Sequence, residues 1–385
     1  MNNRFTLALG GLLPHHLSSQ VKELYLSALL QNLALSMLLL FEPIYLWQQG
    51  FGIRGILLFF LGVYVAYVFL MPVGANFATN FGYHRSMVIS TMFQVTYYAS
   101  LYLIVNSIWW ALPASLLYAL QKSFYWPAYH ADFARYSDST EEGKEISGLS
   151  VVLSLVYILG PLLAGVVLLY SSWFWFFVFS SFILLVSNVP LLLNKEIFTP
   201  RYFPYVAALC RLFSKEWRWP LFTYLGFGEE LVAMVLWPVY INLMVPDYAE
   251  LGLLVSFSTL FMAVATLYTG RLTDIYDKHR LLRFFSLSYV FAWLGRILVS
   301  SPITIWLNDA WARTNKNVLM VPLTAITYEK AKKASVMDTV VFFEMGLAVG
   351  KILAAVVLLI VMSLFESWSL VWLVAACFAL LYSLF

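Results

Sequence analysis

Charge is scarce in this chain. Only 11% of its 385 residues are Asp, Glu, Lys or Arg, and the formal net charge is +3; a soluble domain carries about a quarter of its residues charged. So small and dispersed a charge does not suggest a nucleic-acid partner, and none is expected. Cysteine is scarcer still. Cys210 and Cys377 make no disulfide framework, and neither stands in a metal-ligand spacing. The histidines His15, His16, His84, His130 and His279 are dispersed, and no H-E-x-x-H, phosphate-cradling glycine loop or G-x-S-x-G occurs. These absences speak against an enzyme and against an ATP-driven pump. No cofactor and no metal is expected.

What the chain has is apolar length. Hydrophobic residues make up 62% of it, and apolar runs long enough to span, at roughly 20 residues each, recur throughout. The expected spans are 22–47, 52–74, 86–106, 108–130, 146–170 and 172–193, then 219–243, 250–270, 281–300, 302–326, 336–363 and 367–385. The segment Phe5 to Leu13, with Arg4 before it and Pro14 after it, is too short to span and reads as an interfacial helix.

The chain also repeats itself. Ala75 to Arg85 (ANFATNFGYHR) and Gly270 to Arg280 (GRLTDIYDKHR) lie one interval apart, and the same interval relates Pro43 to Pro238, Tyr45 to Tyr240 and Pro127 to Pro322. Several matches at one offset without a gap indicate an internal duplication. The expected organisation is therefore a six-helix bundle over 1–193, a linker over 194–218 along the membrane surface, and a second six-helix bundle over 219–385. Basic residues of the connections, from Arg4 through Arg135, Lys195 and Lys215 to Lys333, fall on one side, and only Arg54 sits near the opposite loops. This bias places both termini and the linker in the cytoplasm.

Here the residues carry a family resemblance. Six plus six helices, a cytoplasmic linker and a G-x-L-x-D-x-x-x-K-x-R turn between the second and third helices of a half resemble the major facilitator superfamily over essentially the whole chain. The second-half turn matches at Gly270, Leu272, Asp274, Lys278 and Arg280, with Asp277 where the family has Gly; in the first half Gly82 and Arg85 match, while Ala75 and Thr79 replace the Gly and Asp. The family keeps its stronger copy in the first half, so the exchange is a departure. Gly160-Pro161-Leu162-Leu163-Ala164-Gly165 is similar to a segment of the family's exporters, although Ser115 stands where that group carries an Arg. The resemblance implies an all-α transporter of twelve membrane helices in two pseudo-symmetric bundles that open a central site to either side in turn.

The charged turn has a physical reading of its own. Asp274 at one helix end and Lys278 and Arg280 at the next start can form a latch with Gly270, Gly82 and Arg85; the competing reading makes the basic residues headgroup anchors. Ionisable groups inside spans cost about 3 kcal/mol each on insertion scales, so they face a cavity or each other. Asp309, Arg313 and Lys316 share one helix face with Met320, Glu344 and Lys351 lie seven apart on another, and Lys122 with Asn32 and Gln31 stands in the first half. These residues are the expected solute cavity, the alternative being that Asp309 with Arg313, and Glu344 with Lys351, pair to hold helices in register. Glu229 and Glu230 show no local partner in sequence. Ionising both side by side in low dielectric is unfavourable, so they are the expected proton carriers. Pro43, Pro238, Gly160 and Pro161 are the expected kink positions, and Gly346-x-x-x-Gly350 allows close helix contact. Glu42 is either a rim or a gate residue, Arg296 is expected to snorkel, and Trp126, Tyr129 and Trp237 are candidate cavity aromatics.

The expected function is proton-coupled secondary transport of a small organic solute, zwitterionic or amphipathic, in the cytoplasmic membrane by a monomer. Export is the expected direction; uptake of a polar solute, or a receptor that has lost transport, are the alternatives.

Overall fold

The computed structural model describes residues 19–136, 142–193, 199–269, 277–333 and 335–384. Among the described residues every regular element is helical, as membrane burial demands, because a helix satisfies its backbone hydrogen bonds within the segment. The first six rods are α1 (Ser19–Gln48), α2 (Gly52–Phe81), α3 (Tyr83–Leu103), α4 (Ala111–Tyr136), α5 (Glu142–Tyr170) and α6 (Trp173–Leu193). A short helix, Tyr205–Arg211, lies in the connection that follows. The last six are α7 (Arg218–Met244), α8 (Tyr248–Thr269), α9 (Lys278–Gly295), α10 (Pro302–Lys333), α11 (Val336–Leu364) and α12 (Trp368–Leu380).

Eight of these rods are long and apolar enough, taken singly, to cross a membrane. The rods below that mark have physical reasons. Buried polar side chains interrupt α3 with Thr91 and Gln94, α4 with Gln121 and Asp132, and α10 with Asn308, Asp309 and Asn315, while α12 is apolar but short. Helices that carry polar groups inward depend on their neighbours for an apolar surround.

Within the first set α2 packs on α4, α4 on α3, and α1 on α5 and α6; within the second, α10 packs on α8 and α9, and α12 on α9. Between the sets, α5 lies against α8 and α2 against α11. The α5–α8 seam is backbone on backbone. A Cβ on Gly252 would stand 2.3 Å from the Pro161 carbonyl oxygen, and one on Gly165 would stand 2.4 Å from that of Tyr248. Only glycine permits so close an approach. The G-P-L-L-A-G segment thus serves as a packing surface between the two sets of helices. Gly350 does the same for α11 on α7, where a Cβ would meet the Leu225 carbonyl oxygen at 2.5 Å.

The equivalent helices α1 and α7 differ in shape. Pro43 sits inside an otherwise regular α1, whereas α7 passes through a 3-10 turn at Leu225–Phe227 and a π turn at Val232–Leu236 before Pro238. Such π turns recur at functional sites. This one begins two residues after Glu230.

The connection is tied to the first set at one end of the molecule. Arg201 N–H donates to the Thr79 carbonyl at 3.1 Å and Phe203 N–H to Asn76 Oδ1 at 3.1 Å; Arg211 meets Asp338 of α11 at 2.7 Å. At the opposite end Gln48 donates to the Tyr248 hydroxyl, Trp173 Nε1 donates to Gln48 at 3.1 Å, and Arg54 pairs with Glu366 at 2.9 Å.

Candidate functional site

A central cavity runs between the two sets of helices. One lobe, about 330 Å³, is lined largely by α1, α2 and α4 with α7, α10 and α11 across from them. A second lobe, about 360 Å³, lies among α7 to α10 with α1 and α5 across from them, and Leu39, Tyr157, Glu230, Met234 and Met320 belong to both. Both volumes fall in the range of small-molecule sites. Beyond Glu42, toward the end with Arg54 and Glu366, the Tyr45, Trp173 and Phe177 rings close together, with centroids 4.9 to 6.2 Å apart.

The second lobe is built on ion pairs. Asp309 and Arg313, four apart on α10, pair at 2.6 Å, and Trp237 Nε1 donates to the other Asp309 oxygen at 3.0 Å. One turn further along α10, Lys316 donates to Glu229 at 2.5 Å. Glu229, fully buried, also accepts from Tyr289 of α9 at 2.6 Å and from Tyr382 at 3.0 Å. Three donors from three elements surround this carboxylate. A buried charge so satisfied ties helices together, and removing one partner is costly.

Several sequence expectations are corrected at this point. Glu229 and Glu230 are not without partners, for Lys316 takes Glu229 and Lys351 takes Glu230 at 2.6 Å. Spacing within one helix does not reveal a partner supplied by another. Glu344 and Lys351 share a face of α11 but do not pair with each other. Lys351 turns to Glu230 and to the Tyr64 ring, 5.0 Å from its centroid, and Glu344 accepts from Tyr67 of α2 at 2.8 Å with His130 of α4 at 3.5 Å. Glu344 thereby links the second set of helices to the first. Arg296 does not snorkel. It is 2% exposed, with its guanidinium 3.7 Å from the Trp293 ring centroid and 4.1 Å from that of Trp237, and it donates to Asn308 at 3.3 Å. Stacking on tryptophan suits a weakly hydrated guanidinium better than water at the membrane edge.

The first lobe differs in kind. Lys122 lines it, 4.6 Å from the Tyr118 ring centroid, and no carboxylate lies within ion-pair distance among the described residues. Glu42, buried rather than on a rim, accepts from Tyr97 at 2.5 Å. Asn32 also lines this lobe, accepting from Tyr157 at 2.9 Å. Of the candidate aromatics, Trp126 lines the first lobe and Trp237 the second, while Tyr129 stacks on Tyr125 with ring centroids 5.5 Å apart. The hydroxyl partners Tyr67, Tyr97, Tyr289 and Tyr382 were not legible as site residues, since nothing in their spacing separates them from 20 other tyrosines (24 in the chain, less these four).

Of the turn residues, Gly270 and Asp274 lie outside the described residues, as does the side chain of Lys278. Arg85 and Arg280 are exposed. Asp277 caps α9 by accepting from the Arg280 N–H at 3.0 Å, which gives a local reason for Asp at that position. Gly82 joins α2 to α3 at φ 104°, a conformation that favours glycine. Beside it His84 of α3 meets buried Asp132 of α4 at 3.3 Å.

Comparison with curated proteins returns no match. A family model described as Major Facilitator Superfamily matches residues 24–312, which takes in α2 to α9, most of α1 and the start of α10. With that match over three quarters of its length (289 of 385 residues), an all-helical membrane fold and a cavity between two sets of helices, the chain belongs to the major facilitator superfamily of membrane transporters.

Proposed function

We propose that the protein is a secondary transporter that moves a small organic solute by alternating access, with α1–α6 and α7–α12 rocking as two units about the central cavity and residues 194–218 linking them. The observation that carries this reading is the two-lobed cavity itself. It lies between the two sets of helices and is bounded by ionisable side chains. A charged cavity within membrane helices marks a solute or ion path by its cost alone.

Proton coupling is assigned to the Glu229–Glu230 cluster. A proton on Glu230 releases Lys351, and one on Glu229 releases Lys316, so protonation loosens α11 or α10 from α7 next to its π turn. The proposed direction is export, resting on the G-P-L-L-A-G segment and its glycine seam with α8. The working unit is a monomer in the cytoplasmic membrane with both termini inside, and Asp274, Lys278 and Arg280 act as its gating latch.

The test is flux in proteoliposomes with an imposed pH gradient. Solute movement that follows the gradient, and that Glu229→Gln with Glu230→Gln uncouples in folded protein that still binds the solute, is the expected result. Full proton-driven flux in the double variant overturns the coupling, and solute binding without any flux overturns transport itself.

A further inference from the structure

The cations of the cavity are not equivalent. Lys316 is held by Glu229, Lys351 by Glu230 and Arg313 by Asp309, each at 2.5 to 2.6 Å. Lys122 lines the first lobe over the Tyr118 ring, with no ion pair among the described residues. Around it the charged groups are Glu42 of α1, Glu230 of α7, and Glu344 and Lys351 of α11, none of the carboxylates within ion-pair distance. Two of them are already engaged by hydroxyls, Glu42 by Tyr97 and Glu344 by Tyr67, and Glu230 is taken by Lys351. An ammonium kept in a membrane cavity with no counter-charge in contact is costly unless something brings the counter-charge.

The same lobe offers two further recognition elements. Gln94 Oε1 is buried without a hydrogen-bond donor and belongs to a side chain that lines the lobe. Trp126 stands one turn beyond Lys122 on α4, and Phe227, Met234 and Phe343 face it from the other set of helices. This combination of one cation with no counter-charge in contact, one buried unpaired acceptor on a lining side chain and apolar walls has a chemical complement.

We propose that Lys122 is the anion-binding residue of the solute site, and that the solute is an amphipathic organic acid. Its anionic group meets Lys122, a hydroxyl or amino donor on the same molecule meets Gln94, and its apolar or aromatic body lies between Trp126 and the Phe227–Phe343 wall. The inference rests on the transporter reading for its purpose but not for its geometry, because binding is measured apart from flux. Both lobes touch Glu230 and Met320, so a bound anion near Lys122 adjoins the ion pairs of the second lobe.

The experiment uses the full chain purified in detergent and three matched probe pairs, namely 3-phenylpropionate with its amide, indole-3-acetate with its amide, and phenylalanine with phenylalaninamide. Binding is read by calorimetry and by the shift of the unfolding midpoint. At least one acid is expected to bind about tenfold or more tighter than its amide, as loss of a charged hydrogen bond implies. Lys122→Gln removes that preference, Lys122→Arg keeps part of it, and neither variant unfolds below the wild-type midpoint without probe. Arg54→Gln, outside the cavity, keeps the wild-type preference. Acids and amides that bind alike, a preference that survives Lys122→Gln, or no acid that binds the wild type each overturn the proposal. Acid binding at Lys122 with no flux in proteoliposomes leaves this site standing and removes the transport reading; flux of solutes indifferent to Lys122 does the reverse.

Discussion

Lys122 and Lys316 belong to repeated helices, yet they serve different ends. At the repeat interval of 195 (270 − 75), Lys122 corresponds to Asn317 and Lys316 to Gln121. The cation is thus displaced by one residue between the copies, about 100° around the helix. In α10 that turn places Lys316 on Glu229. In α4 it points Lys122 into the first lobe beside Tyr118 and Trp126. The second set of helices spends its charges on cohesion, while the first keeps one cation unspent. A duplicated fold can divide structural and recognition roles between its copies by so small a shift.

The largest expected effect breaks the cohesive side. Lys316→Met leaves the buried Glu229 carboxylate without a cation, and a loss of about 3–5 kcal/mol is expected on removing one partner of a buried pair. Thermal unfolding in detergent measures it. Adding Glu229→Gln to Lys316→Met is expected to restore most of that loss, since the uncompensated charge is then gone. An unchanged midpoint in Lys316→Met would mean that the second lobe is not structural.

A second effect tests the seam between the sets. Gly165→Val pushes side-chain atoms onto the Tyr248 carbonyl, and overpacking of this kind costs about 1–3 kcal/mol. The same unfolding measurement detects it. At the far end, Arg54→Gln breaks a pair whose side chains are 51% and 76% exposed, so a change of at most about 1 kcal/mol is expected. The smallest effect sharpens the comparison most. Lys122→Met removes a cation that no carboxylate neutralises in contact, so no loss of stability is expected, in contrast to Lys316→Met. A destabilisation as large as that of Lys316→Met would erase the distinction between the copies.

Much of the fold was legible because its signals are local. Apolar runs gave the rods, and the pair Asp309 with Arg313 followed from its spacing of four on one helix. Partnerships between helices were not legible. Lys351 lies seven residues from Glu344, on the same face, yet Glu230 of α7 is the partner at 2.6 Å. Arg296 near a helix end looked like a residue reaching for water, and only the assembled bundle brings Trp237 and Trp293 onto its guanidinium. The bonds from Thr79 and Asn76 to the connection were equally hidden. They belong to a turn whose residues depart from the family pattern.

The central claim is that solute crosses through the cavity by relative movement of the two sets of helices. Arg54 of α2 and Glu366 of the α11–α12 connection, 2.9 Å apart and exposed, span the two sets at one end. With the exposed Cys210 and Cys377 replaced by Ser, Arg54→Cys and Glu366→Cys are joined by a short cleavable bis-thiol cross-linker, and flux of a bound acid is measured in proteoliposomes. The account predicts that cross-linking stops flux while leaving binding, and that cleaving the linker restores it. Flux that continues at the uncross-linked rate would contradict the account.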